Sequence, residues 1–158
     1  MLSRYSLAAL ALLASAAGAQ AATLVVRVTD IEVGRGQVFV GLCDRDLVQE
    51  RCPIGRFERA RSATMNFRFD GLTPGRWAVA AYQDINDNGR LDMQPILFWE
   101  LPAEPYGFSN DVGRYGVPTF SGAAFDLPPA GATVDVRLAR LPLDDEAAVQ
   151  DAIRRQGQ

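Results

Sequence analysis

Nine consecutive residues, Asp84-Ile85-Asn86-Asp87-Asn88-Gly89-Arg90-Leu91-Asp92, place oxygen-bearing side chains at alternate positions ahead of a glycine. Calcium loops begin this way, because a hard cation takes about six to eight oxygen ligands around a sharp turn. In that reading Asp84, Asn86 and Asn88 supply side-chain oxygens, Gly89 the turn, Arg90 a backbone carbonyl and Asp92 an oxygen directly or through water. An EF-hand closes its shell with a Glu at the twelfth position, where this chain has Pro95, so the loop is not an EF-hand. Glu100 or Glu104 would have to fold back to complete the shell, and with two firm charges the expected affinity for Ca2+ is only ~0.1 to 1 mM. The competing reading is a tight Asn88-Gly89 turn whose Asx side chains bond nearby backbone amides and need no metal.

Downstream, PAEPYGFSND from Pro102 to Asp111 reads as a polar, turn-rich loop that carries two aromatics. Tyr106, Phe108, Ser109 and Asn110 form the candidate ligand-binding set. With Trp99, Tyr115 and Phe120 nearby, they could stack on a sugar or an extended peptide. The blander reading is that these aromatics close one end of a core. Arg51, Arg56, Arg59 and Arg61 lie beside Glu50 and Glu58, and such mixed signs point to a solvated face, with a polyanion site as the sharper alternative. Two acids such as Asp92 and Glu104 could cleave a glycosidic bond if an open cleft held them about 5 or about 9 Å apart.

Composition narrows the chemistry further. Histidine is absent from all 158 residues, which excludes Ser-His and Cys-His dyads and histidine-ligated metals. There is no glycine-rich phosphate loop, and a net charge of -3 argues against nucleic acid as a partner. The N-terminus has the layout of a cleavable secretion signal over residues 1–21: basic Arg4, an apolar run from Leu7 to Ala17, and Ala19-Gln20-Ala21. That run is shorter than the ~20 residues a spanning helix needs, so no transmembrane segment is expected in the mature protein, a retained N-terminal anchor being the alternative. A periplasmic or extracellular location favours a disulfide between the only two cysteines, Cys43 and Cys52, over two free thiols.

The elements that must position these residues read as strands. TLVVRVT (Thr23 to Thr29), GQVFVGLC (Gly36 to Cys43), ATMNFRFD (Ala63 to Asp70) and the run Arg76 to Gln83 alternate or are rich in β-branched residues, with glycine turns between them. Weaker strands are expected at Ile96 to Leu101, Arg114 to Pro118, Ala123 to Leu127 and Ala132 to Leu138. Residues 22–141 are therefore expected to fold as an all-β antiparallel β-sandwich of about seven or eight strands, followed by a tail over 142–158 with a short C-terminal helix from Asp144 to Arg155.

The order of three runs, FDGLTPGRWAVAAYQDINDNGRLD (Phe69 to Asp92), PAEPYGFSND from Pro102 and PTFSGAAFDL (Pro118 to Leu127), resembles the exported bacterial family called domain of unknown function 2141, over roughly Leu24 to Leu138. The resemblance implies an Ig-like or prealbumin-like sandwich used as an accessory module, with no established activity. Its hallmark loop falls on Asp84, Asn86, Asn88, Gly89 and Asp92, and its second motif on Glu104, Tyr106, Gly107, Phe108, Ser109 and Asn110, a pairing that implies spatial proximity. Family members often have His where this chain has Gln83, and Gly where it has Glu100; the segment Met93 to Trp99 is longer than usual. The functional expectation is an exported non-catalytic module, calcium-stapled through its Asx loop, that binds a cell-envelope component or saccharide. The alternatives are a carboxylate-based hydrolase such as a glycosidase, and a purely structural envelope component.

Overall fold

Alternation in the sequence becomes two facing sheets in the computed structural model, which describes residues 21–96, 99–113, 117–140 and 154. The first sheet has the order β10 (Ala132–Arg137), β1 (Ala22–Thr29), β4 (Thr64–Leu72). The second has the order β3 (Ile54–Arg59), β2 (Gln37–Cys43), β5 (Gly75–Asp84), β8 (Tyr106–Phe108), with β9 (Phe125–Leu127) also pairing with β5. The protein is an all-β sandwich. Its pairs are antiparallel except β1 with β10, which run parallel with Val26 opposite Val134.

The core lies between the sheets because the pleat sends every second side chain inward. Leu24, Val26 and Val28 of β1 meet Phe67 and Phe69 of β4, and Val38, Val40 and Leu42 of β2 sit beside Val79 and Ala81 of β5. Each large apolar side chain so buried contributes about 1.5–3 kcal/mol. The expected Met65, Phe67, Phe69 face of β4 is the one that turns inward, with Phe67 fully buried. At the open side between β3 and β4, Arg56 closes the sandwich: its guanidinium lies 5.1 Å from the Phe69 ring centre and donates to the Arg68 carbonyl at 3.0 Å.

The outer face of the second sheet is also partly covered. Cys43, Ala78, Ala80 and Ala123 form a small second cluster, with Leu47, Cys52, Phe108, Val112 and Phe120 packed against it. Cys43 and Cys52 are joined by a disulfide, so the loop between them is laid over this face.

Four expectations change. The run Ile96 to Leu101 is not one strand but parts of two, β6 (Met93–Ile96) and β7 (Trp99–Pro102), paired antiparallel with Pro95 opposite Glu100. The Tyr106–Phe108 segment, read as loop, is strand β8; it is too short for a local pattern and forms because β5 offers an edge. The charged run containing Arg56 and Arg59 is strand β3, an edge strand whose charges sit where no further strand pairs. The Ala123 to Leu127 strand begins later, after the helical turn α1 (Phe120–Ala123). Of the Arg114 to Pro118 strand, residues 114–116 lie outside the described residues, and Val117 and Pro118 are irregular. Residues 1–20 and 142–153, on which the secretion signal and most of the C-terminal helix were expected, also lie outside the described residues.

Candidate functional site

Strand β5 delivers Asp84 at its end, fully buried, and the loop that follows turns back on this carboxylate. Asp84 Oδ1 accepts from the Asn88 backbone N–H at 3.0 Å, and Oδ2 accepts from the Gly89 N–H at 2.8 Å and from Gln37 Nε2 at 3.0 Å. The turn needs Gly89 because its φ is +80°, where a Cβ is strained. Asn86 Oδ1 accepts from the Asn88 N–H at 3.1 Å, and Asn88 Oδ1 from the Arg90 N–H at 3.0 Å, as Asx turns do.

Of the other acids of the loop, Asp87 is held by the Arg59 guanidinium and Asp92 by amides. Asn86 Nδ2 donates to Asp92 Oδ2 at 2.6 Å, and Asn88 Nδ2 donates to Asp92 Oδ1 at 2.8 Å. These bonds, that from Asn88 first, hold the Asp92 carboxyl below its ordinary value, with Arg90 at 3.6 Å adding to the effect. Glu104 does fold back on the loop, and it is nearly buried: Oε1 accepts from the Ile85 N–H at 2.7 Å and Oε2 from the Asp92 N–H at 3.1 Å. Glu100, on β7, is exposed.

Every side-chain oxygen of Asp84, Asn86, Asn88, Asp92 and Glu104 thus accepts a hydrogen bond from the protein itself. The Asn amides turn their N–H groups toward Asp92, doing for its charge what a cation would do. Among the described residues no group of three or more Asp, Glu, Cys or His is placed to hold a metal ion. In this arrangement the donor set fits a hydrogen-bonded lock better than a cation cage.

The second motif divides. Ser109 is fully buried, its hydroxyl donating to the Ala123 carbonyl at 2.6 Å and accepting from the Val79 N–H at 2.9 Å. Asn110, at φ +60°, donates to the carbonyls of Gly122 and Ala124. Both side chains therefore pin the segment around α1 to the sheet. Tyr106 and Phe108 are half-buried, edge to face at 5.9 Å, and burial pushes the Tyr106 hydroxyl up from its ordinary value.

The register of the second sheet reveals what the sequence reading missed. Phe57 lies opposite Phe39, Phe39 opposite Tyr82, and Tyr82 opposite Tyr106, so four aromatics from four strands form one row across the outer face. Phe39 stacks 4.8 Å from Phe57 and 5.2 Å from Tyr82. Its ring lies over Gly41 and Gly55, where a Cβ would come within 2.9 and 2.8 Å of it, so these glycines are the seat of the ring. The middle of the row is buried and its Phe57 end is 37% exposed. Gln49 of the disulfide loop accepts from the Tyr82 hydroxyl at 2.9 Å and donates to the Gly89 carbonyl at 3.2 Å, tying the bridged loop, the aromatic row and the Asx loop together. Desolvation raises the Tyr82 hydroxyl far above its ordinary value, so it remains a donor at any physiological pH.

Next to Phe57, an open cavity of about 410 Å³ is lined by Gln37, Phe57, Glu58, Arg59 and Arg61. Gln83 is fully buried; its amide receives the Glu32 N–H and donates to the carbonyls of Glu32 and Arg35, clamping the β1–β2 connection. No local signal marks these roles: Phe39 and Phe57 are 18 positions apart, and only strand register brings them together.

Neither the curated proteins nor the solved structures contain a match to this chain. The model of a family described as an uncharacterized protein conserved in bacteria, domain of unknown function 2141, matches residues 26–135, and the chain belongs to that family.

Proposed function

We propose that this protein is an exported, non-catalytic β-sandwich module that binds a cell-envelope component or saccharide through the outer face of its five-stranded sheet. The observation that carries the reading is the aromatic row: Phe57 keeps its ring partly exposed while Phe39, seated on two glycines, holds it rigid from behind. A fixed, part-exposed ring is an inexpensive stacking surface, since little side-chain entropy remains to be lost on binding. Tyr106 and Phe108 extend the same face at its other end. The disulfide supports export.

What argues against the hydrolase reading is the state of the two acids. Both Glu104 oxygens hold backbone N–H groups, and Asp92 is held by two amides, leaving neither aimed at an open cleft. Incubating the purified mature protein with cell-wall sacculi and envelope polysaccharides tests the proposal by two readouts. Sedimentation with the polymer, weakened by Phe57→Ala and Tyr106→Ala, is expected, with no release of reducing ends. Absence of binding, or sugar release, would contradict it.

Calcium is a second reading, favoured by the gathering of Asp84, Asn86, Asn88 and Asp92 around Gly89. It requires the two Asn amides to turn their oxygens inward and Glu104 to give up its backbone partners. Thermal stabilisation by calcium would be its mark.

A further inference from the structure

We infer that the groove beside Phe57 recognises an acidic saccharide, with the Phe57 ring on a sugar face and Arg61 on the carboxylate. This deepens the proposed function and rests on it. The charges around the groove decide the ligand class. Arg59 is engaged by Asp87 at 2.7 Å, and Glu58 lies 3.9 Å from Arg56, so both are at least partly offset by a partner. Arg61 lines the same groove, is exposed, and among the described residues has no ion-pair partner. It is the uncompensated cation of the site. A guanidinium fits a carboxylate in a planar two-point contact, which an ammonium does not.

Two further groups are poised for hydroxyls. Gln37 lines the groove and donates its Nε2 to Asp84, which orients the amide and leaves Oε1 without a protein partner among the described residues, available as an acceptor. Arg59 is fixed by Asp87 in a two-oxygen contact and retains further N–H donors beyond it. A rigid aromatic flanked by one free guanidinium, one free amide oxygen and one braced guanidinium presents the complement of a uronate: an apolar ring face, a carboxylate, and hydroxyls that both give and take hydrogen bonds. The Asx loop enters this account as a positioning element, since Asp84 aims Gln37 and Asp87 aims Arg59.

The test is calorimetric titration of the full mature protein with a galacturonate trimer and, separately, with the neutral galactose trimer. The acidic trimer is expected to bind at least tenfold more tightly, with that preference weakening as salt is raised from about 50 to 500 mM. Arg61→Ala is expected to abolish the preference and Arg61→Lys to restore part of it, both with unchanged melting temperature; Phe57→Ala weakens both sugars. Equal binding of the two trimers, insensitive to Arg61→Ala, would overturn the acidic assignment while leaving the envelope-binding reading intact. Binding of neither trimer would also overturn it, and the envelope reading would then stand or fall on sedimentation with sacculi alone.

Discussion

The Asp84–Asp92 loop and the β3 edge meet at one end of the same sheet, and they dispose of their polar atoms in opposite ways. In the loop, each side-chain oxygen of the expected ligands is taken by a backbone or amide N–H of the protein. At β3, the Phe57 ring is left 37% exposed, and just past the strand's end the Arg61 guanidinium has no ion-pair partner among the described residues. The oxygen-bearing residues of the loop are thus engaged by the fold's own N–H groups, whereas the plainer charged strand and its end keep bonding capacity unspent. Recognition needs groups the fold has not already satisfied.

If the loop is a lock, breaking it must cost stability. Asp84→Ala removes the buried carboxylate that accepts from the Asn88 and Gly89 N–H groups and from Gln37, and a loss of about 2–4 kcal/mol is expected from urea unfolding. A loss under about 1 kcal/mol would mean the loop is held by something else. Reducing the Cys43–Cys52 bridge should cost about 2–3 kcal/mol, because the closed loop is short. It should also free Gln49 from Tyr82 and Gly89, which deuterium exchange at the Asx loop would register as faster opening.

Acid offers a gentler probe of the same contrast. Asp92 titrates below its ordinary value of 3.8 in the folded protein, so its contribution is complete above that pH and is lost as pH falls through the depressed folded value. The urea midpoint should therefore drop below about pH 4, with a shallower drop in Asp92→Asn. Equal slopes would show that Asp92 does not take part. At the β3 edge the smallest stability effects are expected: Arg61→Ala should stay within about 0.5 kcal/mol of the parent, as exposed positions do, while changing what the protein binds.

Much of the sandwich was legible because its inner strands alternate over seven or more residues: β1, β2, β4 and β5 follow from their pattern alone. Three-residue β8 and charged β3 were not, since the first has no room for a period and the second has its two apolar residues, Ile54 and Phe57, on opposite faces among charges, so no alternation shows. The disulfide followed from cysteine count, and the return of Glu104 to the loop was expected as well, its oxygens accepting from the Ile85 and Asp92 N–H groups there. Ser109 and Asn110 look like surface recognition residues in sequence because serine and asparagine usually are; here tertiary contacts spend them on the carbonyls around α1. The aromatic row was out of reach of any local reading, because it is written in the register between four strands.

The contrast between a spent loop and an unspent strand edge rests most directly on what calcium does to the native, disulfide-bonded protein. The melting temperature should be the same in EDTA and in about 10 mM calcium, because a lock whose oxygens are all engaged gains nothing from the ion. A rise of several degrees, as a site of ~0.1 to 1 mM affinity would give, that disappears in Asp92→Asn would contradict the account and make the loop a metal site.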